Sequence, residues 1–97
     1  MNYIVDNNNL ADFNQKLKTG NWIVWYFAPW CGHCKMMKPE WDKFMDLKNQ
    51  DPVLRKNLNC ASVSDSMIPN LEDKYRKISG FPTIKFYRRG NQTPNGV

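Results

Sequence analysis

Apolar positions fall into two rhythms along this chain, one of period 3.6 and one of unbroken short runs. Tyr3-Ile4-Val5 is a short apolar run that predicts a strand. Asp6, or one of the asparagines behind it, offers a helix cap, and Leu10, Phe13 and Leu17 then recur at helical spacing. Thr19-Gly20-Asn21 ends that helix, because glycine tolerates the left-handed backbone at a helix end. Residues 22–28 are apolar without alternation, the pattern of a strand buried on both faces.

From about Gly32 to Asn49 the rhythm is helical again. Met37, Trp41, Phe44 and Met45 form one stripe, with Lys35, Lys38, Asp42 and Lys43 away from it. Pro39 lies inside this helix and removes one backbone hydrogen bond. Asn49-Gln50-Asp51-Pro52 reads as loop by composition. Leu58 to Val63 predicts a strand, and Asp65-Ser66 offers a cap for a third helix carrying Ile68, Leu71, Tyr75 and Ile78. A last strand follows, Thr83-Ile84-Lys85-Phe86-Tyr87, and then a hairpin-type turn at Arg88-Arg89-Gly90-Asn91. The order β-α-β-α-β-α-β-turn predicts an α/β domain, with a mixed central sheet and helices on both faces. No repeat or linker divides the 97 residues, so residues 1–97 are expected to form a single domain.

Composition narrows the function classes. No run approaches the roughly 18–20 apolar residues of a membrane span, so no membrane partner is expected. The formal charge of +5 is spread thinly. Its densest points, Arg76-Lys77 and Arg88-Arg89, are short, and no reading helix or stacking platform accompanies them. A specific nucleic-acid partner is therefore not expected. The three cysteines are one close pair and a single, which is a redox site plus a core thiol and not a disulfide scaffold. Cys60, inside a strand, is that core thiol.

The chemistry gathers at Ala28-Pro29-Trp30-Cys31-Gly32-His33-Cys34-Lys35. A C-x-x-C at a strand-to-helix junction is the layout of a dithiol/disulfide redox centre. The first sulfur lies where unpaired N–H groups and the helix dipole favour a thiolate. A zinc site competes poorly. Cys31, His33 and Cys34 are half of a ligand set at most, and adjacent His33 and Cys34 do not easily close one tetrahedron. Haem attachment needs histidine directly after the second cysteine, where this chain has Lys35. Asn91-Gln92-Thr93 matches a glycosylation sequon, a pattern common by chance.

The motif A-P-W-C-G-H-C-K, with G-F-P-T about fifty residues later, resembles the protein disulfide isomerase branch of the thioredoxin superfamily. The resemblance implies a thioredoxin-like fold, with Cys31 as attacking thiol and Cys34 as resolving thiol. Gly32 would let a substrate backbone approach, and His33 would add partial positive charge beside Cys31. Trp30, Phe81 and Pro82 would form the substrate groove, with a cis Phe81–Pro82 bond. Gly-His between the cysteines is similar to the oxidising members. Their potential lies near −180 mV against about −270 mV for thioredoxin, a gap of roughly 4 kcal/mol.

The activity so implied is a thiol-disulfide oxidoreductase/isomerase. Its substrates would be cysteine-containing proteins, with a thiol or disulfide electron partner and no cofactor beyond the Cys31–Cys34 disulfide. Two alternatives stand beside it: a redox-inactive peptide-binding module built on Trp30 and Phe81, and a cytosolic thioredoxin-type reductase.

The chain also departs from the family pattern. Trp25 stands where many members carry a buried acid, and the lysine often paired with that acid aligns with Asn57. The closing strand and helix of the family fold are expected to be missing, which would leave an apolar sheet face open for a homodimer. The N-terminus shows no basic region followed by an apolar core, so a cytoplasmic or virion-packaged protein is expected, or one of the endoplasmic reticulum lumen if cut from a longer precursor. The asparagine richness fits an AT-rich genome such as that of a large DNA virus or a single-celled parasite.

Overall fold

The computed structural model describes residues 2–93. The single domain expected over residues 1–97 and the expected absence of the closing strand and helix therefore reach beyond the described residues. Five strands form one sheet in the order β1-β3-β2-β4-β5. They are β1 (Asn2–Ile4), β2 (Asn21–Phe27), β3 (Leu58–Ser64), β4 (Thr83–Arg88) and β5 (Asn91–Thr93). β3 runs parallel to both β1 and β2, while β4 runs antiparallel to β2 and to β5. The mixed sheet expected from the sequence is thus observed. β5 supplies three residues of an antiparallel strand beyond the turn.

The unbroken apolar run of β2 is explained by its two neighbours and two covered faces. Trp22, Val24 and Tyr26 face one layer, with Phe13 and Leu17 from α1 (Leu10–Lys16) and with Leu71 and Tyr75. Ile23 and Trp25 face the other, with Trp41, Cys34 and Cys60. That second layer is covered by α2 (Gly32–Gln50), which carries Pro39 within it as expected. On the same face Ile84 is 39% exposed and Phe86 is half-buried, so the β4 side is the less covered part of that layer. Lys48 anchors the far end of α2. It is fully buried, and its Nζ donates to Asn2 Oδ1 at 2.7 Å and to the Leu58 carbonyl at 3.1 Å.

Two stretches differ from the sequence reading. The expected third helix over residues 65–78 is instead two 3-10 turns, Ile68–Asn70 and Asp73–Tyr75. Pro69 lacks an N–H and disfavours the helical region for Ile68. The backbone settles into short-range bonds, Leu71 N to Ile68 O at 3.1 Å and Tyr75 N to Glu72 O at 2.9 Å. Leu71 and Tyr75 still reach the core, so burial survives the loss of helix. The other difference is α3 (Pro52–Asn57), in and beyond the stretch read as loop. Asp51 caps it, accepting from Val53 N at 2.9 Å and Leu54 N at 3.1 Å, and Pro52 takes the first helical position.

The turn after β4 behaves as the sequence suggests. Arg89 and Gly90 both have positive φ, 52° and 82°, the backbone of a two-residue hairpin whose twist matches its strands. A Cβ on Gly90 would meet the Tyr75 hydroxyl at 3.0 Å, so this glycine is required by space as well as by φ.

Candidate active site

The central strand β2 ends at Phe27, and Cys31 begins α2 as its N-cap. The Cys31 backbone is extended (φ −82°, ψ 117°), so its side chain turns back over the first helical turn. There its Sγ accepts from the Cys34 backbone N–H at 3.3 Å. A sulfur in this position meets donors that have no partner within the helix. Cys34 lies one turn in, and both cysteines are free thiols.

The two sulfurs are electrostatically unequal. The Cys31 thiol is lowered, first by its hydrogen bond with the Cys34 side chain and further by the backbone N–H groups of Cys34 and His33. The Cys34 thiol is raised, first by burial and then by Cys31. Cys31 is thus the more readily ionised of the two, and Cys34 the less. Cys31 is 8% exposed and Cys34 2%. The attacking position is therefore less open than a helix N-terminus suggests, although it is the more accessible of the two. The His33 side chain is exposed. The His33 backbone N–H is among the groups that lower the Cys31 thiol. Gly32 is exposed, with no heavy atom within 4 Å of where a Cβ would sit.

The other site residues converge from a distant part of the chain. The Phe81–Pro82 peptide bond is cis, as the resemblance implied. The Phe81 ring meets Trp30 edge-on, with centroids 5.9 Å apart at 90°, and Pro82 is half-buried beside it in sequence. Trp30 is 69% exposed. Its ring is oriented by a residue that sequence reasoning had given only a capping role: Asp65 Oδ2 accepts from Trp30 Nε1 at 3.0 Å. Nothing in the spacing of these two residues announces that contact.

Behind the thiols, the buried-acid position is occupied by Trp25. Its ring stacks on Phe27 (4.6 Å, 19°) and tilts against Trp41 (5.6 Å, 35°). Its Nε1 is buried with no acceptor among the described residues. The residue beside it in the sheet is Ser62, which accepts from Trp41 Nε1 at 3.0 Å. Asn57 instead ends α3 and donates to the Val53 carbonyl. Ser62, and not Asn57, is therefore the β3 residue that stands opposite Trp25. Cys60 is fully buried against α2 and its thiol is raised, chiefly by burial. Among the described residues, no group of three or more His, Cys, Asp or Glu is placed to hold a metal ion.

Comparison with known proteins agrees with this geometry. The family model described as Thioredoxin matches residues 4–96. A probable protein disulfide-isomerase A6 of Medicago sativa is 41% identical over 71 residues, 72% of this chain and 18% of that protein. Protein disulfide-isomerase 2-3 of Arabidopsis thaliana is 37% identical over 89 residues, 89% of this chain and 18% of that protein. The chain thus spans under a fifth of the length of these relatives. The solution structure of the first thioredoxin domain of mouse protein disulfide-isomerase A4 superposes with a TM-score of 0.67 at 24% identity. It covers 93% of this chain and 60% of that one, a likeness of fold.

Proposed function

The chain belongs to the thioredoxin family, and from that premise we propose that it is a thiol-disulfide oxidoreductase of the protein disulfide isomerase kind, acting on cysteine-containing proteins. The observation that carries this reading is the Cys31–Cys34 pair at the start of α2, where Cys31 is the N-cap and its Sγ accepts from the Cys34 backbone N–H at 3.3 Å, with Cys34 the more buried of the two. In the reducing direction, the Cys31 thiolate attacks a substrate disulfide. A Cys31–substrate S–S bond forms and one substrate thiolate leaves. Cys34 then loses its proton to solvent and attacks Cys31 Sγ. The second substrate thiolate departs, the substrate has gained two electrons, and Cys31–Cys34 is the disulfide. The reverse sequence oxidises a substrate dithiol, and isomerisation stops at the mixed disulfide and returns.

Trp30 and Phe81 form the apolar wall against which a substrate segment is held, and Asp65 fixes the Trp30 ring. The chemistry needs no organic cofactor and no metal, and an external thiol or disulfide couple resets the pair.

The test is recovery of a reduced, disulfide-containing protein in a glutathione buffer, with three forms of the chain. The native form is expected to accelerate recovery, Cys31→Ser to abolish the effect, and Cys34→Ser to accumulate the substrate mixed disulfide. A native chain whose Cys31 and Cys34 never form a disulfide would overturn the proposal and leave a peptide-binding module.

A further inference from the structure

A cleft opens behind the thiols, and disulfide exchange as written above does not use it. It encloses about 180 Å³ and is bounded by α2 on one side and by β1, β2 and β3 on the other. Ile4, Trp25, Phe27 and Met45 supply the apolar lining, and Cys34 borders it. That volume suits one six-membered ring, since an apolar cavity of about 150 Å³ accepts benzene. Water is a poor occupant, because such a lining offers few hydrogen-bond partners.

One feature of the cleft specifies more than an apolar body. Lys35, Lys38 and Asp42 also border the cleft. Lys38 is paired with Asp42 at 2.7 Å, whereas Lys35 makes no ion pair among the described residues. The cleft therefore carries one cation in excess, exposed to solvent. An anionic group on the ligand would meet it at the entrance, where desolvation is least costly.

We propose that this cleft binds a small aromatic monocarboxylate, its ring against Trp25 and Phe27 and its carboxylate at Lys35. The consequence for catalysis rests on the oxidoreductase reading: a ring beside Cys34 keeps water from the resolving thiol and slows its attack on the mixed disulfide.

Binding is tested apart from catalysis, on the reduced full chain, by following the Trp25 indole resonance with phenylacetate, 4-hydroxyphenylacetate and the neutral 2-phenylethanol as probes. Saturable shifts are expected for both acids, and at least about threefold weaker binding for the neutral alcohol, the size of one exposed charge contact. Lys35→Gln should weaken the acids alone. Ile4→Trp narrows the entrance from a position 75% exposed, so it leaves the fold intact and should abolish all three shifts.

No saturable shift, equal affinity for acid and alcohol, or binding unaffected by Ile4→Trp would each overturn the site. Release of a Cys31 mixed disulfide should slow in the presence of the acid. If the acids bind as described while no disulfide chemistry is detected, the binding site stands and the oxidoreductase reading falls.

Discussion

Tyr26 and Tyr87 carry the only buried side-chain bond between the two central antiparallel strands among the described residues, their hydroxyls 2.9 Å apart. Both are almost completely buried, and Tyr87 also packs edge-on against Tyr75 at 5.2 Å. Replacing either tyrosine with phenylalanine keeps the ring and its contacts, so no cavity forms. What changes is that one hydroxyl disappears and its partner is left in the core without a bond. That costs about 1–3 kcal/mol, more than the bond itself contributes.

For a domain of this size, 1 kcal/mol corresponds to roughly 4–8 °C in Tm. Each single variant is therefore expected to melt about 8–16 °C lower at a cost near 2 kcal/mol. The double variant has no stranded hydroxyl and should be no worse than either single one. Urea unfolding of all four proteins gives the coupling energy, expected at about 1–2 kcal/mol. Additive losses, with the double variant as unstable as the two singles combined, would refute the argument that the pair matters through satisfaction and not through ring packing.

The same cluster predicts alkaline unfolding. Burial, followed by the neighbouring Tyr87, holds Tyr26 far above the ordinary tyrosine range, and burial raises Tyr87 as well. Their contribution is complete below the unfolded-state value near 10 and is lost as pH climbs above it, because the unfolded chain ionises first. Stability should fall steeply above about pH 10, and less so in the Tyr26→Phe, Tyr87→Phe protein; parallel curves would contradict this. Asp65→Ala frees the Trp30 ring, so KM for a protein substrate should rise about two- to fivefold, the worth of one partly exposed hydrogen bond, with kcat unchanged. A fall in kcat alone would show that Trp30 acts on the chemistry. Trp25→Glu places a carboxylate beside Ser62 on the cleft that Cys34 borders. It should lower stability through lost packing and speed release of the Cys31 mixed disulfide; an unchanged release rate in the folded variant would show that the absent acid does not limit attack by Cys34.

Much of this architecture was legible where hydrophobic pattern and local chemistry agree. β2 was readable because a seven-residue apolar run has no other stable home, and α2 because its stripe repeats over several turns. Arg88-Arg89-Gly90-Asn91 announced its hairpin through a glycine at a position where a side chain would strike Tyr75. The expected third helix is absent because Leu71 and Tyr75 have helical spacing while Pro69 denies them a helical backbone. α3 was missed although Asp51-Pro52 is a cap followed by a first-turn proline, a local signal that composition alone obscured.

The thiols and the groove residues were recognisable from the motif. Asp65 beneath Trp30, and Ser62 in place of Asn57 beside Trp25, were not. Both depend on sheet register and chain reversal over more than thirty residues, which no local pattern encodes. The cleft at Cys34 depends on the same register, since its lining comes from three strands and one helix.

The most direct test of the oxidoreductase reading is the reduction potential of the Cys31–Cys34 pair, obtained by equilibrating the protein in graded glutathione buffers and trapping free thiols. The lowered Cys31 thiol stabilises the dithiol form, and a value near the isomerase end, about −180 mV, is expected. A value near −270 mV, about that of thioredoxin, would make the chain a reductant, and a pair that stays reduced in every buffer would contradict redox function altogether.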